Sequence, residues 1–109
     1  MSAPLRGDVL LVDLRPGSGH EQQGPPRPCV VVSNSSYNAR SNMVVVCPLT
    51  KRRKGRAFEV ATEFQGIEGA VLVDQVRSID FKSRETRVIG VINPDIMEHV
   101  LAKMRALLQ

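Results

Sequence analysis

Three stretches of the chain gather the residue types that handle anions, each at the end of an apolar run. Arg27 stands directly before Pro28 and the run Cys29-Val-Val-Val32. Thr50 closes the run Val44-Val-Val-Cys47-Pro48-Leu49 and is followed by Lys51, Arg52, Arg53, Lys54 and Arg56. Asp74, Gln75, Arg77 and Ser78 follow the run Ala70-Val-Leu-Val73, and a loop ahead of Arg27 adds His20, Glu21 and Gln22. Apolar runs of this length are strands, and loops at strand ends can converge on one rim of a sheet or barrel. Such a rim would attract a polyanion, either nucleic acid or an acidic protein. Each position also has a plainer reading. Alone, Arg27 is a solvated charge ahead of a strand, held extended by Pro28, and a lone loop histidine such as His20 is a solvated side chain.

Other catalytic sets fail on spacing. No G-x-S-x-G elbow supports a serine triad, and Gly17-Ser-Gly19 lacks the further glycines and the helix of a phosphate loop. Cys29, Cys47, His20 and His99 form neither a CxxC nor an HxxxH pair, so no metal site is expected. Both cysteines sit in apolar runs, where a thiol behaves as a small buried hydrophobe.

The elements that must position these residues are short and mostly extended. Strands are expected at Val9–Leu14, Pro28–Ser33, Met43–Leu49, Ala57–Val60 and Ala70–Val76, with two more at Ser78–Phe81 and Arg87–Ile89. Pro28–Ser33 is β-branched enough to be buried on both faces. Arg15–Arg27, with three glycines and three prolines, is a loop, and Asn34–Asn42 turns the chain with a short helical turn near Tyr37 and Asn38. Asn93-Pro94-Asp95 is a helix start: Asn as N-cap, Pro at the first helical position, Asp near the positive end of the dipole. Met97, Val100, Leu101, Met104 and Leu108 then share one helical face, which leaves His99 on the solvated side. Short strands closed by one helix predict a mainly β domain, a small barrel or strongly curled sheet with a C-terminal helix.

Bulk composition agrees. The 109 residues suit one domain over 1–109, and 15 Lys and Arg against 11 Asp and Glu leave a net charge of +4. No apolar stretch reaches the roughly 18 residues of a membrane span, and the first residues lack the apolar centre of a signal peptide, so the cytoplasm is the expected compartment.

Taken in order, the motifs resemble the MazF/PemK/Kid toxins of type II toxin–antitoxin systems over nearly the whole chain. The matching pieces are Gly7-Asp8-Val-Leu-Leu-Val-Asp13, Gly19-His-Glu21-Gln22, Arg27-Pro28, Val30-Val-Val-Ser33-Asn34, Asn38, Val44–Thr50, Lys54-Gly55, Phe58-Glu59-Val60, Gly69 and Val71–Ile79. The resemblance implies an SH3-like β-barrel with a C-terminal helix, assembled as a homodimer. It implies metal- and cofactor-free cleavage of single-stranded mRNA at short motifs, leaving a 2′,3′-cyclic phosphate and a 5′-hydroxyl. It also implies a cognate antitoxin whose acidic C-terminal segment occupies the RNA groove, and higher toxin–antitoxin complexes. By position in these motifs, Arg27 and Thr50 correspond to the catalytic residues. Glu21, Gln22, Asp74 and Gln75 match RNA contacts, and His20, Lys51, Arg52, Lys54, Arg77 and Ser78 complete the expected RNA surface. A guanidinium suits the pentavalent phosphate because it holds two oxygens at once, while a hydroxyl can orient a third group. As an acid or base, arginine is poorly suited.

The sequence departs from the family in places. It has no Trp, carries Leu10 where relatives often have one, places Pro25-Pro26 before the arginine, and has Lys51 directly after Thr50. These loops do not transfer a cleavage motif. Two other functions fit a similar scaffold: a CcdB-like toxin that binds DNA gyrase without catalysis, and a non-catalytic nucleic-acid-binding barrel. The first relies on a Trp-containing C-terminus that this chain lacks, and the second leaves Thr50 unexplained.

Overall fold

The computed structural model describes residues 2–14 and 26–109. In chain order these form β1 (Asp8–Val12), β2 (Arg27–Val31), α1 (Ser35–Ser41), β3 (Met43–Thr50), β4 (Glu59–Phe64), β5 (Ile67–Leu72), a 3-10 turn (Val73–Gln75), β6 (Arg77–Asp80), β7 (Thr86–Val91) and α2 (Pro94–Leu108). The sheet runs β4-β5-β3-β2-β1-β7, every pair antiparallel, and β6 pairs β3. β3 is long because it serves two neighbours on one side: Met43–Val46 pair β6 and Leu49–Thr50 pair β5, while β2 takes Val46–Pro48 on the other side.

Side-chain alternation divides the apolar runs between two cores. Val9, Val30, Val32, Cys47 and Leu49 face one way, against Val60, Val71, Val73, Ile92 and the α2 residues Met97 and Val100. Leu10, Val12, Cys29, Val31, Val44 and Val46 face the other, with Ile79 and Phe81. Strands β1 to β3 are thus buried on both faces, which the sequence predicted for β2 alone.

Closure comes from the β4–β5 hairpin. Phe64 pairs Ile67, so Gln65 and Gly66 form a two-residue turn, both with positive φ (52° and 80°) as a type I′ turn demands. Phe64 packs on Gly90 of β7 so closely that a Cβ at Gly90 would lie 2.7 Å from its ring. Gln65 Nε2 donates to the Ile89 carbonyl at 2.7 Å. That carbonyl is available because the β1–β7 register shifts there, pairing Val9 with Gly90 and Leu10 with Val88. The curled sheet is closed by these side chains where no further ladder exists.

The helices are fixed by polar caps. Asn34 and Asn93 cap α1 and α2, accepting from Tyr37 N (2.8 Å) and Asp95 N (2.7 Å), and Asn42 ends α1 in the left-handed conformation. Buried Asn38 donates to the Pro4 carbonyl at 2.9 Å and accepts from Ser33 Oγ, which in turn accepts from Val45 N at 2.9 Å. One amide therefore ties α1 to the amino-terminal segment and to β3.

Several boundaries differ from expectation. The helical turn near Tyr37 is a seven-residue helix, and β4 runs to Phe64 instead of stopping at Val60. β5 starts at Ile67 and stops at Leu72, because Val73–Gln75 forms the 3-10 turn that moves the chain along β3 to β6. On α2, Leu108 is 76 % exposed and Ile96 packs on the core in addition to Leu101 and Met104. His99 is exposed, as predicted. The expected loop Arg15–Arg27 lies almost wholly outside the described residues. Among these residues no helix is long and apolar enough to cross a membrane.

Candidate active site

The β2–β3 register pairs Cys29 with Pro48 and Val30 with Cys47. Continued by two residues, it sets Arg27 across from Thr50, and opposed residues carry their side chains on the same face. Arg27 Nη2 donates to the Leu49 carbonyl at 3.3 Å, which lays the exposed guanidinium along the end of β3 beside Thr50. Among the described residues the remaining guanidinium donors meet no carboxylate, so they stay available to an incoming anion.

Thr50 is half-buried, and its Oγ1 accepts from Arg52 N at 3.1 Å. The hydroxyl thereby closes a local turn and keeps its proton for donation outward. Its backbone is held from below by β5, where a Cβ on Gly69 would lie 2.0 Å from the Thr50 carbonyl oxygen. Only glycine lets β5 approach so closely. Gly69 is a residue that sequence reasoning noticed merely as part of a motif; nothing in its spacing shows what it supports.

Arg77 belongs to the same face. It pairs Val46, whose side chain shares the second core with Cys29. Burial pushes the Cys29 thiol up to about 11 against the opposing pull of the positive charges of Arg27 and Arg77. Cys47 is pushed up to about 12, chiefly by burial, then by Cys29 and by the charge of Asp74. Both thiols stay protonated at neutral pH and supply no nucleophile. From Val46, opposite Arg77, to Thr50, opposite Arg27, the strand advances roughly 13 Å. The cationic face is therefore elongated along β3.

The basic loop after Thr50 is held by one carboxylate. Glu59 Oε1 accepts from Lys54 N (3.0 Å) and Gly55 N (3.1 Å), folding the loop over the start of β4. Lys51, Arg52 and Lys54 remain exposed beside Thr50. Asp74 and Gln75 are exposed on the 3-10 turn, at the edge of β3 near Cys47. Ser78 is placed differently: it pairs Val45, so alternation along β6 turns it away from the face that carries Arg77. His20, Glu21 and Gln22 lie outside the described residues. Among the described residues no three of His, Cys, Asp and Glu come together as a metal site. The structure thus brings together Arg27, Thr50, Arg77 and the start of the basic loop, and separates Ser78 from them.

Comparison with known proteins shows the family. Residues 5–108 match the family described as PemK-like, MazF-like toxin of type II toxin–antitoxin system. The endoribonuclease toxin ChpB of Escherichia coli is 36% identical over 109 residues, covering 95% of this chain and 93% of its own. The crystal structure of MazF from Deinococcus radiodurans superposes with a TM-score of 0.83 at 35% identity, covering 99% of this chain and 98% of that one. A MazE–MazF complex from the same organism gives 0.82 at 30% identity, covering 99% and 97%. With the match running through both strands that carry Arg27 and Thr50, the chain belongs to the PemK-like, MazF-like family of toxins of type II toxin–antitoxin systems.

Proposed function

We propose that this chain, an endoribonuclease toxin by family, cuts single-stranded mRNA at short sequence motifs through the substrate's own 2′-hydroxyl and without a metal. The observation that carries this is Arg27 beside Thr50: a guanidinium fork and a free hydroxyl proton on one exposed face, flanked by cations. In the reaction a bond forms between O2′ and phosphorus while the bond from phosphorus to O5′ breaks. The 2′ proton passes to solvent water, O5′ takes one from solvent, and the products are a 2′,3′-cyclic phosphate and a 5′-hydroxyl. Arg27 spans two non-bridging oxygens as charge accumulates on the pentavalent phosphate. Thr50 gives a hydrogen bond from its hydroxyl to an oxygen of the same centre. Arg77, Lys51, Arg52 and Lys54 hold the flanking phosphates, and Asp74 and Gln75, with the expected His20, Glu21 and Gln22, contact bases. Arg27, Thr50 and Arg77 supply electrostatics and not proton transfer, which fits a slow enzyme.

One purified preparation tests the reading. It is expected to sediment at twice the monomer mass, cut RNA undiminished in EDTA, and leave 5′-hydroxyl ends. A substrate with a single 2′-deoxy sugar at the cut site should be inert. Cleavage of that deoxy substrate would rule out attack by the 2′-hydroxyl.

The same cationic face suits the acidic C-terminal segment of a cognate antitoxin, as the MazE–MazF complex among its structural relatives supports. Such a peptide should inhibit in competition with RNA, and its affinity should fall as salt rises. Inhibition that excess RNA cannot relieve would place the antitoxin on another surface.

A further inference from the structure

Five of the six residues from Lys51 to Arg56 are cations, and like charges at that density push one another apart. Left to itself, such a run would spread open into solvent. Here it is folded, and the folding converges on one half-buried side chain, Glu59, the only carboxylate between Thr50 and Thr62. Its Oε1 accepts from two successive backbone N–H groups, those of Lys54 (3.0 Å) and Gly55 (3.1 Å). Successive N–H groups aimed at one point form an anion seat, and Gly55 has the positive φ (69°) that suits such a turn. The return to β4 is fixed as well: Glu59 N donates to the Arg56 carbonyl at 3.2 Å, and Lys103 Nζ of α2 donates to the Ala57 carbonyl at 2.6 Å. Register decides on which side of the sheet the loop is pinned. Glu59 pairs Leu72, Ala61 pairs Ala70, and Ala70 pairs Thr50. Alternation therefore sends Glu59, Ala61, Ala70 and Thr50 to one face, while Phe58 and Val60 pack into the first core on the other.

We infer that Glu59 is a positioning residue for RNA: it holds the basic loop folded on the face of Thr50, so that the loop's cations receive the phosphates flanking the cut. The inference rests on the ribonuclease reading above and extends it to a residue that acts through the backbone of Lys54 and Gly55. Charge alone argues against a carboxylate here, because it repels the same phosphates that the cations attract. Its two hydrogen bonds supply the compensating gain. An RNA that met an open loop would have to order it on arrival, and its apparent affinity would fall with the fraction of molecules already folded. The cost of one repulsive charge is thus exchanged for a loop in place before the substrate comes. Location supports the same assignment. Two strand spacings, about 10 Å, separate Ala61 from Thr50 across β5, so the pinned peptide lies within one nucleotide or two of the reacting phosphate.

Two variants of equal charge separate the hydrogen bonds from the charge. Glu59→Gln and Glu59→Ala each remove one negative charge, but only glutamine keeps an oxygen for the two N–H groups. KM and kcat are measured on an RNA that the wild type cuts. Kd is measured over a range of salt on the same RNA with a 2′-deoxy sugar at the cut site. Glu59→Gln should bind at least as tightly as the wild type. Glu59→Ala should show KM and Kd about 5- to 10-fold above Glu59→Gln, the scale of the lost hydrogen bonds, with kcat within about twofold. The slope of log Kd against log salt should fall by ~0.7 to 1.4, the equivalent of one or two phosphate contacts. A merely structural defect would reduce the active fraction and leave KM and the salt slope in place. Gly55→Ala strains the positive φ in open space and should give the same signature with no change of charge; if Glu59→Ala does not fold, this variant against the wild type decides in its stead. Equal KM and equal slope in Glu59→Gln and Glu59→Ala overturn the inference. Tighter binding by Glu59→Ala than by Glu59→Gln overturns it too, since the vacated N–H groups would then be taking a phosphate for which Glu59 competes. A wild type that cuts no RNA defeats the ribonuclease reading itself, a result distinct from both.

Discussion

Arg27→Lys is expected to slow RNA cleavage by about 10²-fold or more, the scale for removing one transition-state donor, while RNA binding weakens far less. Arg27 already spends one donor on the Leu49 carbonyl, and that bond fixes the plane of the guanidinium. What remains is a rigid fork whose separation matches two phosphate oxygens. Lysine keeps the positive charge, so ground-state attraction to the RNA survives, shared with Arg77 and the basic loop. It loses the second prong and the fixed plane, which matter most when the phosphate becomes pentavalent. The loss should therefore fall on kcat more than on KM, the pattern of an interaction made in the transition state. Thr50→Ser should retain more activity than Thr50→Val, because the hydroxyl is the working group. Combining Arg27→Lys with Thr50→Val should cost less than the product of the two separate losses, since both act on one phosphate. Single-turnover rates and a separate filter-binding Kd on an uncleavable 2′-deoxy substrate distinguish the two effects. Full activity in Arg27→Ala would end the arginine mechanism.

The ingredients of this site were visible in the sequence as residue types at the ends of apolar runs, but their meeting was not. Arg27 faces Thr50 because of a strand register, and register is set by packing between distant segments. The same holds for Arg77 and Ser78, adjacent in sequence and sent to opposite faces by β6 pairing with β3. The long apolar strands and α2 were legible, because two-sided burial leaves unbroken Val-rich runs and the Asn-Pro-Asp start of the helix is a local signal. The β4–β5 hairpin was not. An inward threonine at position 62 breaks the apolar alternation, and Gln65-Gly66 lacks the Asn or Asp that usually marks a type I′ turn. The run Ala70–Val76 looked like one strand, yet the chain must slip along β3 from Leu49 to Val46, and the 3-10 turn makes that step.

Gly69→Ala should lower kcat by about 10²-fold although the three atoms its new methyl meets first are all backbone. Its Cβ would lie 2.0 Å from the Thr50 carbonyl oxygen, 3.0 Å from the Thr50 carbonyl carbon and 3.3 Å from Lys51 Cα. These are backbone atoms, so no flexible side chain can swing aside. The end of β3 must move away from β5, at the point where Thr50 pairs Ala70. Thr50 moves with it, and so does the Leu49 carbonyl that anchors Arg27. A shift of ~1 Å in a catalytic group is enough for a 10²-fold loss. Overpacking of this kind also costs about 1–3 kcal/mol of stability, so a control must separate misplacement from unfolding. Gly66→Ala provides it. Its Cβ meets no atom within 4 Å, but its φ of +80° strains any residue with a side chain, at a cost of about 1–2 kcal/mol. The two variants should thus lose similar stability by thermal denaturation, and only Gly69→Ala should lose kcat. RNA affinity should change little in either, because the cations of the basic loop remain held by Glu59. If Gly69→Ala keeps kcat within about twofold of Gly66→Ala, then the close approach of β5 does not position Thr50, and its narrow clearance serves the fold alone.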